Sequence, residues 1–304
     1  MNRYILISMF AFLLCSCQHK ELCFDHTHKV DIEVKFDWTD YPDAAPKTMV
    51  LQIFRPDGSW YTTEEFVSRE GGKLRIEAGE YKFLFHNGTM SSLLEQGNTY
   101  DGYELTTKTK SILEPMGKAD IQNVPRPEEA ADEPVIDVPE QIWGGSLESI
   151  QVLRGVEGQS VTLKPVEATS EYTVEIRDVK NLWDGLEVSA AITGMARSWR
   201  ISDNTLSDMT ATIPFGMSCK DDTTLEARFV TFGDAPDHTG KHMLTVYTSQ
   251  MDYHHFDVTD QIHNALDRRH VTLVLAGLEF KEEGSGMSPD ISGWEDVEIE
   301  IPMQ

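Results

Sequence analysis

The sequence predicts an all-β protein, two β-sandwich domains in tandem behind an export signal. Three observations carry this. Val30 to Trp38 alternates apolar and polar residues without a fault over nine positions, the period-two signature of a half-buried strand. Short alternating segments then recur along the chain, with turn residues between them at roughly the 8–12-residue spacing of sandwiches. Helical periodicity is nearly absent. Its best trace is Asp257 to Leu266, where Thr259 would cap a turn or two ahead of Ile262 and Leu266.

The amino-terminal segment is read first. Arg3 is the only charge among the first eighteen residues, and Tyr4 to Leu14 is apolar except for Ser8. Eleven residues are too few to span a bilayer, which takes about 20. They suit the apolar core of a secretion signal. The run ends in Leu14-Cys15-Ser16-Cys17, which resembles the bacterial lipobox. Residues 1–16 are therefore expected to be removed. Cys17 would carry a thioether-linked diacylglycerol and an N-linked acyl chain such as palmitate. Each buried methylene contributes about 0.8 kcal/mol, so three chains hold where one holds only marginally. Gln18 to Lys29 is left as a short tether, giving a lipidated segment over residues 17–29.

The first sandwich is expected over residues 30–164. It opens with Val30–Trp38. Thr48 to Phe54 is a second strand, closed by the turn Arg55-Pro56-Asp57-Gly58. Lys73 to Glu77, then Ala78-Gly79-Glu80, then Tyr81 to Phe85 reads as strand, tight turn, strand. Residues 89–113 form a polar excursion with a short strand near Tyr103 to Thr107. From Glu114 to Glu140 five prolines and many acids predict an extended loop or sheet edge, since proline removes a ladder donor.

The second sandwich is expected over residues 165–304, after the strand Val161-Thr162-Leu163. Glu171 to Arg177 alternates, with Tyr172, Val174 and Ile176 on one face. Leu186, Val188, Ala190 and Ile192 share a face in the next strand. Ala211–Phe215, Leu225–Phe232, His242–Thr248 and His270–Leu278 continue the series. Trp294 to Ile301 closes it with a last alternating strand.

Charge excludes some partners. The chain has 26 basic and 51 acidic side chains. Loss of residues 1–16 removes Arg3 and no acid, leaving 25 − 51 = −26. Nucleic acid, whose binding rests on cationic contacts, is excluded as a partner. The charge is read as a means of solubility in a crowded surface layer.

Catalytic motifs are missing. The chain has no GxSxG elbow, HExxH, phosphate-cradling glycine loop or DxDxDG calcium loop. No enzyme activity and no cofactor are expected. With Cys17 acylated, Cys23 and Cys219 remain as one disulfide pair open to an oxidising compartment, against two unpaired thiols. His26 and His28 would face one side of a strand, and His254, His255, His263 and His270 are close in sequence. Imidazole binds transition metals, but His254 and His255 would point to opposite faces of a strand. Surface and strand-end histidines, with no metal, are the reading adopted. Trp38 and Trp294 continue apolar faces and belong to the core. Trp60, Trp143, Trp183 and Trp199 lie near turns and could stack on sugars if exposed.

Taken together, the lipobox, the strand Val30–Trp38 and the segment Leu74-Arg75-Ile76-Glu77-Ala78-Gly79-Glu80-Tyr81-Lys82-Phe83 resemble the FimB-type, Mfa-like fimbrial lipoproteins of the FimA-like pilus superfamily. The strand Val161–Leu163, the turn Thr193-Gly194-Met195-Ala196 and the closing strand Trp294–Ile301 extend the likeness. The resemblance implies two transthyretin-like sandwiches. It implies attachment to outer-membrane lipid through acylated Cys17, with the protein surface-exposed. It implies an anchor or minor subunit of a fimbria, with other fimbrial subunits as partners. Stalk pilins of this kind are cut inside the first domain, which opens a groove for a neighbour's strand, whereas membrane anchors keep their first strand. The alternative reading is a glycan-binding surface lipoprotein of a nutrient-uptake system.

Overall fold

The computed structural model describes residues 29–88, 91–183, 185–236, 239–282 and 294–296. The expected signal peptide, the expected lipidation site Cys17, Cys23, His26 and His28 lie outside these residues, as does the greater part of the expected closing strand. Within them strands dominate, and the all-β expectation holds. In chain order the first half forms β1 (Lys29–Phe36), β2 (Met49–Phe54), β3 (Trp60–Phe66), β4 (Gly71–Glu77) and β5 (Gly79–Asn87). Then come β6 (Leu93–Gln96), β7 (Glu104–Thr107), β8 (Trp143–Val152), β9 (Ser160–Leu163) and β10 (Val166–Glu167).

Two sheets of the first half, β4-β1-β9 and β10-β8-β5-β2-β3, pack face to face. Ile32, Val34 and Phe36 of β1, with Leu74 and Ile76 of β4, meet Met49, Leu51 and Ile53 of β2 and Phe83 and Phe85 of β5. The alternation in β1 and β4 is that of strands with one face in this core and one in water. β2 behaves differently. All six of its residues are buried, because Phe54 on its second face enters another cluster with Leu84, Leu105 and Trp199.

The second half forms β11 (Ser170–Arg177), β12 (Val188–Ala196), β13 (Trp199–Arg200), β14 (Thr205–Leu206), β15 (Thr210–Gly216), β16 (Ser218–Asp221) and β17 (Thr224–Thr231). It continues with β18 (Met243–Thr248), β19 (Asp252–Asp257), the five-residue helix α1 (Thr259–His263), β20 (His270–Ala276) and β21 (Glu295–Asp296). The sheets β16-β17-β11-β20 and β15-β12-β18-β19-β21 enclose one core. Tyr172, Val174 and Ile176 of β11 lie in it with Ala190, Ile192, Leu244 and Val246.

One seven-strand plan occurs in both halves. If its strands are lettered a to g in chain order, one sheet runs d-a-g and the other c-b-e-f. β1-β2-β3-β4-β5-β8-β9 fill these places first, and β11-β12-β15-β17-β18-β19-β20 fill them again. In each half strand a is antiparallel to d and parallel to g.

A third sheet, β14-β13-β7-β6, joins the halves. Trp199 pairs with Leu105 and Arg200 with Glu104. The polar excursion after β5 is thus half of a shared sheet. The proline-rich segment that follows crosses onto the second sandwich. Ile112 and Leu113 pack with Ala191 and Tyr247, Tyr247 Oη donates to Pro125 O at 2.7 Å, and Val135 bridges Thr212. This cover is why β12 is buried at all nine positions. Two single turns of 3-10 helix, Glu114–Met116 and Glu128–Ala130, interrupt the otherwise extended path.

Three local expectations change. β3, β8 and β19 form where no strand pattern stood out. Thr193–Ala196 is no turn but lies inside β12, whose register shifts between Ile192 and Met195 at Gly194, φ +76°. The hydroxyl of Thr259 does not cap α1. It accepts the backbone N–H of His242 at 2.9 Å instead.

Candidate functional site

Strand β1 holds the central place of its sheet and is hydrogen-bonded on both sides. Phe36 N–H donates to Glu70 O at 3.2 Å on the β4 side. Glu33 N–H donates to Gln159 O and Asp37 N–H to Leu163 O, both at 2.8 Å, on the β9 side. Gly71 begins β4 at φ +97°, and a Cβ there would stand 2.2 Å from Val34 O. Only glycine lets the two strands approach so closely. A shallow cleft of about 430 Å³ lies over the end of β1, lined by Lys35, Asp37, Glu70, Gly71 and Thr162. At its rim the Asp37 carboxyl is held below the usual carboxylate range by hydrogen bonds from the Thr39 hydroxyl and backbone N–H.

Sheet edges are the other feature relevant to assembly, since an edge offers unpaired N–H and C=O groups. β20 ends its sheet, and Val274 on it is exposed. Gln261 of α1 covers that point. Its Oε1 accepts Val274 N–H at 2.9 Å and its Nε2 donates to Val274 O at 3.2 Å. The side-chain amide thus occupies the place of a neighbouring strand. β3 ends the other sandwich, and Trp60 on it is 48% exposed.

The six tryptophans do not form a platform. Trp38 and Trp199 are buried. Trp143 packs on Trp38, Trp183 against the second core, and Trp294 on Tyr247 and Tyr253. Trp60 alone is exposed, and its Nε1 donates to Gln52 Oε1 at 3.2 Å. Beneath it runs a polar network: Gln52 Nε2 donates to Glu95 Oε2 at 3.1 Å, and His86 Nε2 lies 3.3 Å from Glu95 Oε1. The hydrogen bond from His86 and a second from Tyr103 lower the Glu95 carboxyl below its ordinary value, against its partial burial. Burial raises the Tyr103 phenol, and the neighbouring Glu95 adds to that.

The histidines that cluster in sequence separate in space. His254 is buried and meets Phe280 edge-on, whereas His255 on the other face of β19 meets Thr245 Oγ1 at 2.8 Å. His270 is exposed and pairs with Asp267 at 2.9 Å. The Asp267 carboxyl is lowered first by that bond, and the same bond raises the His270 imidazole. His263 meets another imidazole. At the end of α1 it stands beside His242 and Asp234, and the ligand atoms of the three lie within 4.8 Å of one another. No sequence motif signals this group, which is drawn from three separate segments. Cys219 is exposed on β16; Cys23, with which the sequence left a disulfide open, lies outside the described residues.

The comparisons agree with this architecture. A family described as a domain of unknown function, DUF5119, matches residues 16–216. The chain belongs to that family. No curated protein matches it. Among solved structures, a candidate adhesin from Bacteroides ovatus is similar at a TM-score of 0.63 and 16% identity. That match covers 88% of this chain and 97% of the other. A candidate polysaccharide-binding protein (DUF1812) from Bacteroides thetaiotaomicron is similar at 0.52 and 14%, covering 82% and 91%. These two structures share the fold. The fimbrial anchor protein Mfa2 from Porphyromonas gingivalis matches at a TM-score of 0.49 and 14% identity over 80% and 90% of the two chains, a level that carries no weight by itself.

Proposed function

We propose that this protein is an outer-membrane surface lipoprotein, held by acylated Cys17, that anchors a fimbria or forms one of its minor subunits. The observation that carries the reading is the place of β1. Twelve positions after Cys17 the chain enters the centre of a sheet, with Ile32, Val34 and Phe36 in the core and hydrogen bonds to both neighbours. A stalk subunit must give up its first strand to admit a neighbour's. This strand is built to stay, so lipid and fold remain one covalent unit. A fold shared with a Bacteroides protein described as a candidate adhesin supports a role in surface adhesion.

The protein then works through its surface and its tether, without chemistry of its own. Glycan binding would ask for several exposed coplanar aromatics, and the tryptophans are spent on packing, Trp60 excepted. The test is co-purification from outer membranes, wild type against Cys17→Ala. Wild type is expected in the membrane fraction together with fimbrial subunits, and the variant in the soluble fraction. Retention of the variant in the membrane, or a wild type that brings down no pilin, contradicts the proposal.

A further inference from the structure

His242 is fully buried where β12 bulges. Its Nδ1 lies 3.0 Å from the carbonyl oxygen of Thr193. A carbonyl only accepts, so Nδ1 carries the ring proton, and in the neutral imidazole Nε2 keeps its lone pair. That lone pair faces Asp234 Oδ1 at 3.0 Å, acceptor against acceptor. A positive charge belongs between them, either a second ring proton or a cation. His263 decides between these. Its Nε2 lies 3.8 Å from the other carboxylate oxygen, Asp234 Oδ2. Its ring stands nearly perpendicular to that of His242, with centroids 5.2 Å apart. Two imidazole nitrogens thus converge on one carboxylate, the ligand set that a bound metal ion requires.

We infer that Asp234, His242 and His263 form a binding site for a divalent transition metal of the zinc class. Zinc takes imidazole nitrogen and carboxylate oxygen at about 2.0–2.2 Å, which puts tetrahedral ligand atoms roughly 3.3 Å apart. His242 Nε2 lies 3.0 Å from Asp234 Oδ1 and His263 Nε2 3.8 Å from Asp234 Oδ2, and with one atom from each residue the three lie within 4.8 Å, so a bound ion would draw them inward to that spacing. The support around His242 has the form a metal-bound histidine needs: its second ring nitrogen, bonded to the Thr193 carbonyl, fixes tautomer and orientation. Further bonds hold the frame. His242 N–H donates to Thr259 Oγ1 at 2.9 Å, and Met243 N–H to Thr193 Oγ1 at 3.0 Å. Gly194 makes room for the ring, since a Cβ there would stand 2.8 Å from His242 Nδ1 and 2.7 Å from Lys241 O. Beside the carboxylate lies a cavity of about 240 Å³, lined by Asp234, Tyr172, Arg268 and Arg269 among others. Three protein ligands leave a fourth position for water. The site lies in the second sandwich, independent of the lipid anchor and the β1 sheet.

The test uses the mature chain in detergent, free of any histidine tag, stripped with a chelator and dialysed against Zn²⁺. Bound zinc is counted by elemental mass spectrometry, and thermal midpoints are read with and without the ion. Wild type is expected to hold one more equivalent than His263→Ala or Asp234→Asn. Affinity in each variant should fall at least about tenfold, and zinc should raise the midpoint of wild type alone. His263 is partly exposed at a helix end, so its variant keeps the test valid if Asp234→Asn fails to fold. Equal zinc content in wild type and His263→Ala overturns the site and leaves the triad a charged packing element.

Discussion

Trp199 of β13 lies in register with Leu105 of β7, two fully buried residues from opposite halves of the chain. The indole donates to Asn204 Oδ1 at 2.9 Å and packs in a cluster that takes Phe54 and Leu84 from the first half and Phe232 from the second. The joint between the halves is therefore a core in its own right. Trp199→Ala is expected to lower the free energy of unfolding by about 3–5 kcal/mol. Urea titration followed by circular dichroism measures this. Leu266→Ala, at a fully exposed position, should stay within about 0.5 kcal/mol of wild type.

Phe36 anchors β1. Its ring lies 5.9 Å from Phe66 and 5.5 Å from Phe85 across the sandwich. Phe36→Ala is expected to destabilise by about 3–5 kcal/mol and to make the segment up to Asp37 accessible to protease. Limited proteolysis with intact mass readout checks both, with Lys35→Ala on the solvent face as the silent control.

Acid should weaken the layer over Gln52. Glu95 has a folded value below its ordinary 4.5, set first by the bond from His86. Its contribution is complete above pH 4.5 and is lost as pH falls through the lowered folded value. Wild-type stability should therefore drop below pH 4.5, and Glu95→Gln should show a shallower drop. Chemical denaturation across that range reads the two slopes.

Gln261 guards the β20 edge. Gln261→Leu leaves Val274 N–H and C=O without their side-chain partner, which costs about 1–3 kcal/mol where no water replaces it and less at this exposed edge. The clearer effect should be self-association along the uncovered edge. Sedimentation velocity should show a concentration-dependent dimer in the variant and none in wild type.

Much of the fold was legible in the sequence. β1, β4 and β11 alternate because one face meets a core and the other meets water, so each announces itself locally. β2 still read as a strand because its apolar run is short and ends in Arg55–Gly58. What stayed hidden is long-range. β13 and β14 have two residues each, too few for a period. Residues 108–137 carry no pattern of their own, since they take their conformation from β12, β15 and β18 beneath them. β19 was missed because its charged and imidazole side chains mask the period. The grouping of Asp234, His242 and His263 depends on the bulge at Gly194, which sequence spacing does not encode. The exposure of four of the six tryptophans was open in the sequence because it is set by partners distant along the chain, as Trp38 is for Trp143.

The most direct measurement is the intact mass of the protein extracted from outer membranes. The account predicts a single species that begins at Cys17, carries three acyl chains and still contains residues 29–36. A species with an unmodified amino terminus, or one that begins beyond Phe36, would contradict a lipid anchor joined to a retained first strand.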